Sequence, residues 1–202
     1  MFKPAQVLSR VTILAILLPG CAGIPGFGGS QPLDTYELTA PVPDKGRRRA
    51  GLQVLIAEPT ALKAFDGENI VIKTTPGSIQ YLKGAQWADR LPKIVQARLA
   101  ESFQLSGRFG GVGRPGEGLA IDYQVIVEIR SFEVQVAGGY QQSYVELSVR
   151  LMNDRNGVVM ATRTFEASSA VAGTGNEAYV AAIDRAFGQA ATEIVDWTAQ
   201  RI

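Results

Sequence analysis

Between Val145 and Leu151 the chain alternates apolar Val145, Leu147, Val149 and Leu151 with polar Glu146, Ser148 and Arg150. A period of two sends alternate side chains to opposite faces, so the segment predicts a strand with one buried and one wet face. The preceding run, Leu119 to Val136, predicts the longest strand. Its apolar set Ile121, Tyr123, Val125, Val127 and Ile129 shifts parity to Phe132, Val134 and Val136. One inserted residue flips every later side chain to the other face, so a β-bulge near Arg130-Ser131 is expected. Gly138-Gly139 and Asp154-Arg155-Asn156-Gly157 punctuate these strands as hairpin turns, and Val158 to Ala167 predicts the returning partner.

Two segments carry the helical period instead. Leu91, Ile94, Val95, Leu99 and Phe103 form one stripe of a helix expected from Trp87 to Leu105, with Pro92 tolerated in its first turn and Gly107 ending it. Tyr179, Ile183, Ala186, Phe187, Ala190, Ile194 and Trp197 form the stripe of a second, opening at Asn176 as N-cap and running to Arg201. Upstream, Tyr36 to Leu38, Leu52 to Ala57, Asn69 to Thr74 and Ser78 to Leu82 read as strands, the last two joined across Thr75-Pro76-Gly77. Strands, a helix, three long strands and a helix predict an α+β fold of two layers. The expected sheet is antiparallel or mixed, with two amphipathic helices packed on one face.

The amino terminus has a different pattern. Lys3 and Arg10 precede Val11 to Leu18 (VTILAILL), an apolar run of signal-peptide length, far short of the ~20 residues that span a bilayer. It ends in Leu18-Pro19-Gly20-Cys21, which resembles a bacterial lipobox. Residues 1–20 are therefore expected to be a lipoprotein signal peptide. Cys21 is the expected attachment point for diacylglycerol and an N-acyl chain, and two or more chains give stable anchoring. Residues 21–35 read as the lipidated Cys and a Gly/Pro/Ser-rich tether. That tether would span about 20 Å as a coil and at most about 50 Å extended. Residues 36–202 are the expected single domain. Ala22 after the Cys points to the periplasmic leaflet of the outer membrane rather than inner-membrane retention.

Composition narrows the chemistry. The chain has 202 residues, one Cys and no His, which excludes a Ser-His-Asp triad, a Cys-His pair, a His-ligated zinc and an internal disulfide. Removing Lys3 and Arg10 takes the 20 basic side chains to 18, against 19 acidic ones. A body so near neutrality gives no electrostatic basis for nucleic-acid binding.

The order of these pieces resembles a known family. A lipobox and tether precede Tyr36-x-Leu38, a strand ending at Pro59, and Ile79-Gln80-Tyr81. Trp87-Ala88-Asp89-Arg90-Leu91-Pro92 then opens a helix that ends in Ser106-Gly107-x-Phe109. The chain is similar over Tyr36 to Ile202 to the ABC-type transport auxiliary lipoproteins, and among them to the PqiC-type group. The resemblance implies a non-enzymatic periplasmic subunit that docks on an MCE-domain protein and works with ABC transporter subunits in lipid transport between membranes. It implies no cofactor beyond the acyl chains on Cys21. Some relatives form rings, so a homo-oligomer is a further expectation. The alternative reading is a structural or regulatory lipoprotein of another envelope machine, serving secretion or cell-wall synthesis.

Several residues invite a functional reading beside a plainer one. Tyr81 and Trp87 are the candidate partner-binding residues, because docking surfaces favour Tyr and Trp; for Trp87 the plainer reading is packing against the sheet. Gly111-x-Gly113-x-x-Gly116 matches a dinucleotide fingerprint, but it follows a helix and precedes a strand, the reverse of what that fingerprint needs. It reads as a connection, or as a loop that touches a partner. Arg47-Arg48-Arg49 suits anionic head groups or an acidic partner, or is merely solvated. The acid pairs Asp66/Glu68 and Glu128/Glu133 carry no sign of sharing a cleft, the latter pair falling on a strand expected to have a wet face.

Overall fold

The long alternating strand is the axis of the architecture. In the computed structural model, which describes residues 32–202, strand β7 (Tyr123–Ala137) pairs antiparallel with β8 (Tyr140–Asn153) along its whole length. β8 in turn pairs antiparallel with β9 (Val158–Ala170). Both linking turns need glycine: Gly138, Gly139 and Gly157 have φ of 57°, 82° and 71°, the left-handed region that an L side chain resists. The expected bulge is present. Ile129 faces Leu147 and Ser131 faces Glu146, leaving Arg130 unmatched. Val125, Val127 and Ile129 before it, and Phe132 and Val134 after it, are therefore all buried against the helices.

The other edge of β7 is shared by three short parallel strands laid end to end. β2 (Arg49–Ile56) pairs at Tyr123–Val125, β3 (Thr60–Ala61) at Glu128–Ile129, and β4 (Asn69–Lys73) at Glu133–Gln135. β5 (Gln80–Trp87) pairs antiparallel with β4, and β1 (Asp34–Tyr36) adds in parallel to β5. β6 (Phe109–Gly113) adds in parallel to β2. The result is one mixed, open sheet. Helices α1 (Leu91–Ser106) and α2 (Asn176–Arg201) pack on it and on each other, sharing a single buried apolar cluster with it. The α+β expectation holds. Among the described residues no helix is long and apolar enough to cross a membrane.

Local expectations differ from the structure where backbone pairing, invisible to a periodicity argument, decides. β1 lies at Asp34–Tyr36 rather than Tyr36–Leu38, because Asp34, Thr35 and Tyr36 find open partners in Ala85, Gln86 and Trp87. β2 begins at Arg49, three residues before the expected Leu52, because Arg49 N–H donates to Arg108 C=O at 2.7 Å. β7 begins at Tyr123 rather than Leu119. Trp87 ends β5 instead of opening α1, which starts at Leu91 behind Arg90. Gly175, not Asn176, is the N-cap of α2; the Asn176 side chain reaches across to donate to Lys83 C=O at 3.1 Å. The proposed signal peptide, Cys21 and the tether up to residue 31 lie outside the described residues.

The Gly-rich stretch expected to be a loop is partly a strand, β6. One of its glycines, Gly110, serves close backbone approach. A Cβ on Gly110 would run into the Ala50 carbonyl, whereas one on Gly111 would meet only the Gln53 side chain at 3.4 Å. Gly110→Ala is accordingly expected to cost about 1–3 kcal/mol in urea unfolding, with Gly111→Ala costing a small fraction of that.

Candidate functional site

The segment carrying the family resemblance, Trp87 to Pro92, is a junction between sheet and helix. The Trp87 indole is 1% exposed and meets Phe132 edge-on at 6.1 Å between ring centroids. Its backbone N–H donates to Glu68 C=O at 2.7 Å; Ala88 N–H donates to Tyr36 C=O at 2.8 Å, and Leu91 N–H to Gly67 C=O at 2.9 Å. Asp89 accepts from the Arg90 N–H at 2.7 Å. Pro92, whose missing N–H costs nothing in a first turn, starts the helix with Leu91 buried beneath it.

Arg90 closes the junction. Its guanidinium donates through Nε and Nη2 to Asp66 Oδ1, the Nε contact being 3.0 Å, and through Nη1 to Glu58 Oε1 at 3.1 Å. The hydrogen bond from Arg90 holds the Asp66 carboxyl below its ordinary pKa. One arginine thus ties together the loop after β2, the turn before β4 and the start of α1.

Beside this junction lies a concave surface of about 490 Å³ along the outer side of α1. Glu37, Glu58 and Asp89 supply negative charge to its lining, and Lys93, Arg98 and Arg114 positive charge, over Ala88, Ala97 and Ile94. Arg98 bonds Glu37 at 2.7 Å and Glu101 at 2.9 Å. The glycine-rich loop forms part of the rim. Arg114 is held there by Glu117, whose carboxyl is pulled below its usual pKa chiefly by the Arg114 backbone N–H. Concavity with mixed charge and a small apolar floor suits a complementary polar segment of another protein.

The residues singled out in the sequence fall in different places. Tyr81 is 49% exposed, and its register through Val71 to Glu133 puts it on the sheet face opposite the helices, away from this cleft. Trp87 is core and presents no surface; it acts by fixing the junction. Glu128 pairs with Arg130 at 3.4 Å, while Glu133 pairs with Lys73 at 2.7 Å. Glu133 is not on a wet surface: it is 1% exposed, with Lys73 capped by the Phe65 ring. Gly111 and Gly113 belong to β6 and Gly116 to the rim loop. Arg47, Arg48 and Arg49 are exposed. Sequence reasoning missed Arg90 as the organising side chain. Its signal was Asp66 beside Gly67, an acid in a turn with no assigned partner.

A model of the ABC-type transport auxiliary lipoprotein component family matches residues 36–195, and the chain belongs to that family. An uncharacterized protein of Bradyrhizobium diazoefficiens is 31% identical over 186 residues, covering 90% of this chain and 49% of that protein. The chain therefore spans about half the length of that curated relative. Among solved structures, a protein from Xanthomonas campestris is similar at a TM-score of 0.77 and 29% identity, over 83% of this chain and 95% of that one. A hypothetical protein from Chlamydia trachomatis shares the fold at a TM-score of 0.52 and 10% identity, over 74% and 96%.

The Arg90 latch has a pH signature. Asp66, Glu117 and Asp122 all hold their protons less tightly in the folded state; for Asp122 the causes are the Gln53 N–H and then Arg155. Groups with depressed folded pKa values stabilise above the unfolded carboxylate pKa of about 4, and that contribution fades as pH falls through the folded value. The urea midpoint of Arg90→Gln is expected to lie below that of the wild type above about pH 5, with the gap narrowing as pH falls below the unfolded carboxylate value of about 4 and Asp66 protonates.

Proposed function

We propose that this chain is the lipid-anchored periplasmic subunit of an MCE/ABC-type intermembrane lipid transport system, acting as a non-enzymatic docking and assembly component. Cys21 carries the acyl chains and holds the body at the periplasmic leaflet of the outer membrane. The observation that carries this reading is the coincidence of the family motif with the cleft. Ala88 and Asp89 of that motif and Lys93 just beyond it line the concavity, and Trp87, Arg90 and Leu91 fix its shape. The cleft is the docking site for the MCE-domain protein, and Tyr81 is a second contact on the opposite face.

The test is mild crosslinking of the tagged full chain in native membranes, followed by mass spectrometry of what co-purifies. An MCE-domain protein and ABC subunits are the expected partners. Reversing the rim charges with Asp89→Lys and Lys93→Glu should reduce their recovery at least tenfold without changing the folded fraction. Recovery of secretion or cell-wall machinery with no MCE protein would replace this reading with that of an assembly lipoprotein of another machine.

A further inference from the structure

One end of the molecule gathers positive charge that the fold does not use. Register places Val54, Tyr123, Asn153 and Val158 in one row across the sheet. Beyond that row, at the same end, lie the start of β2 with Arg47, Arg48 and Arg49, and the β8–β9 turn with Arg155. Both helices finish here. Arg108, just after α1, receives the Arg49 N–H on its carbonyl, and its guanidinium pairs with Asp196 of α2 at 2.6 Å. Arg201 follows at the end of α2.

The cations outnumber the acids. Lys45, Arg47, Arg48, Arg49 and Arg201 are exposed, and none has an ion-pair partner among the described residues. The acids at this end are Asp44, Asp122, Asp154 and Asp196. Asp122 is paired with Arg155 and Asp196 with Arg108; Asp154, bonded to the neutral Gln124 amide, and Asp44 keep their charge against the five unpaired cations. The arginine segment is also held in place. Arg108 donates from Nε to the Asp44 carbonyl at 3.1 Å, and Gly46 leaves room for that side chain, since a Cβ there would come within 2.7 Å of Nε.

Apolar residues flank this charge. Val42, in the same loop, is 69% exposed, and Val158, Val159 and Met160 stand exposed where β9 begins, three strand spacings or about 14 Å from β2. A surface of unpaired arginines with scattered aliphatic side chains fits the head-group region of a negatively charged bilayer. Each Lys or Arg there contributes about 1 kcal/mol of attraction, and aliphatic side chains enter the boundary below.

We propose that this basic end, centred on Arg47, Arg48 and Arg49, lies against the anionic phospholipid head groups of the leaflet that holds the protein. The tether must run back along the body to allow it: register puts Asp34 level with Phe132, about 26 Å along the sheet from the Tyr123 row, and the thirteen steps from Cys21 to Asp34 reach at most about 45 Å. Docking in this way fixes which end of the molecule faces the bilayer and leaves the α1 cleft along its side. The contact concerns the leaflet alone and stands apart from the identity of the transport partner.

The test uses the full chain lipidated at Cys21, the anchor of the proposed function on which this contact rests, with Val42→Cys labelled by a solvatochromic dye; Cys21 is the sole native cysteine. The protein is reconstituted in vesicles of phosphatidylcholine alone or with phosphatidylglycerol added. A blue shift is expected only with phosphatidylglycerol, reversed by high salt and not reproduced by inorganic phosphate without vesicles. Arg47→Gln with Arg48→Gln should lower the docked-to-undocked ratio about thirtyfold. In the unlabelled wild type, trypsin cleavage at Arg47–Arg49 should slow on the same anionic vesicles. Equal emission and equal cleavage on both vesicle types would overturn the proposal. A shift given by phosphate alone would also overturn it, marking a site for a soluble anion instead.

Discussion

Strand β7 has to satisfy backbone hydrogen bonds along fifteen residues on both edges, and the rest of the molecule is arranged around that requirement. On one side β8 does so continuously; on the other, β2, β3 and β4 take it in turn. Because each short strand ends where the next begins, the chain must leave the sheet after β2 and again after β3. Those departures produce the loops that carry Glu58 and Asp66 to Arg90. The bulge at Arg130 keeps both halves of β7 apolar toward the helices despite the change in parity. A strand of that length without the bulge would turn either Val125, Val127 and Ile129 or Phe132 and Val134 to the sheet face opposite the helices.

Much of this was written in the hydrophobic pattern. The two helices, the β7–β8–β9 meander, the bulge and the β4–β5 hairpin rest on local periodicity and turn chemistry, and sequence reports those directly. What it does not report is which backbone edges are free. β6 reads as a loop because four of its five residues, Gly110 to Gly113, are three glycines and a valine, yet β2 offers it an open edge, which at Gly110 only glycine approaches closely. Asp34 and Thr35 read as tether, yet β5 offers them partners. Trp87 sits where a helix stripe could begin, and the hydrogen bond from its N–H to Glu68, a contact across nineteen residues, keeps it in the sheet.

The candidate site was legible only in outline. The Trp87–Pro92 motif stood out by resemblance, but an indole's choice between core and surface depends on Phe132, which tertiary packing brings against it and which in turn packs on Phe187. The motif proves to be an arrangement of backbone bonds and one arginine that shapes a cleft, with its aromatic ring buried beneath. Trp87, Arg90 and Pro92 each fix a different part of one junction. The cleft's lining combines both signs of charge, an arrangement that selects partners by complementarity more than by area.

The central claim is that this cleft is where the chain meets its partner. Site-specific photocrosslinking in living cells tests it most directly, with a benzophenone amino acid placed at Lys93 on the rim and, separately, at Thr162 on the exposed edge of β9. The account predicts an ultraviolet-dependent adduct from Lys93 to a component of an envelope ABC transport system, and none to that component from Thr162. An adduct to that component from Thr162, with none from Lys93, would contradict it and move the docking surface to the sheet edge.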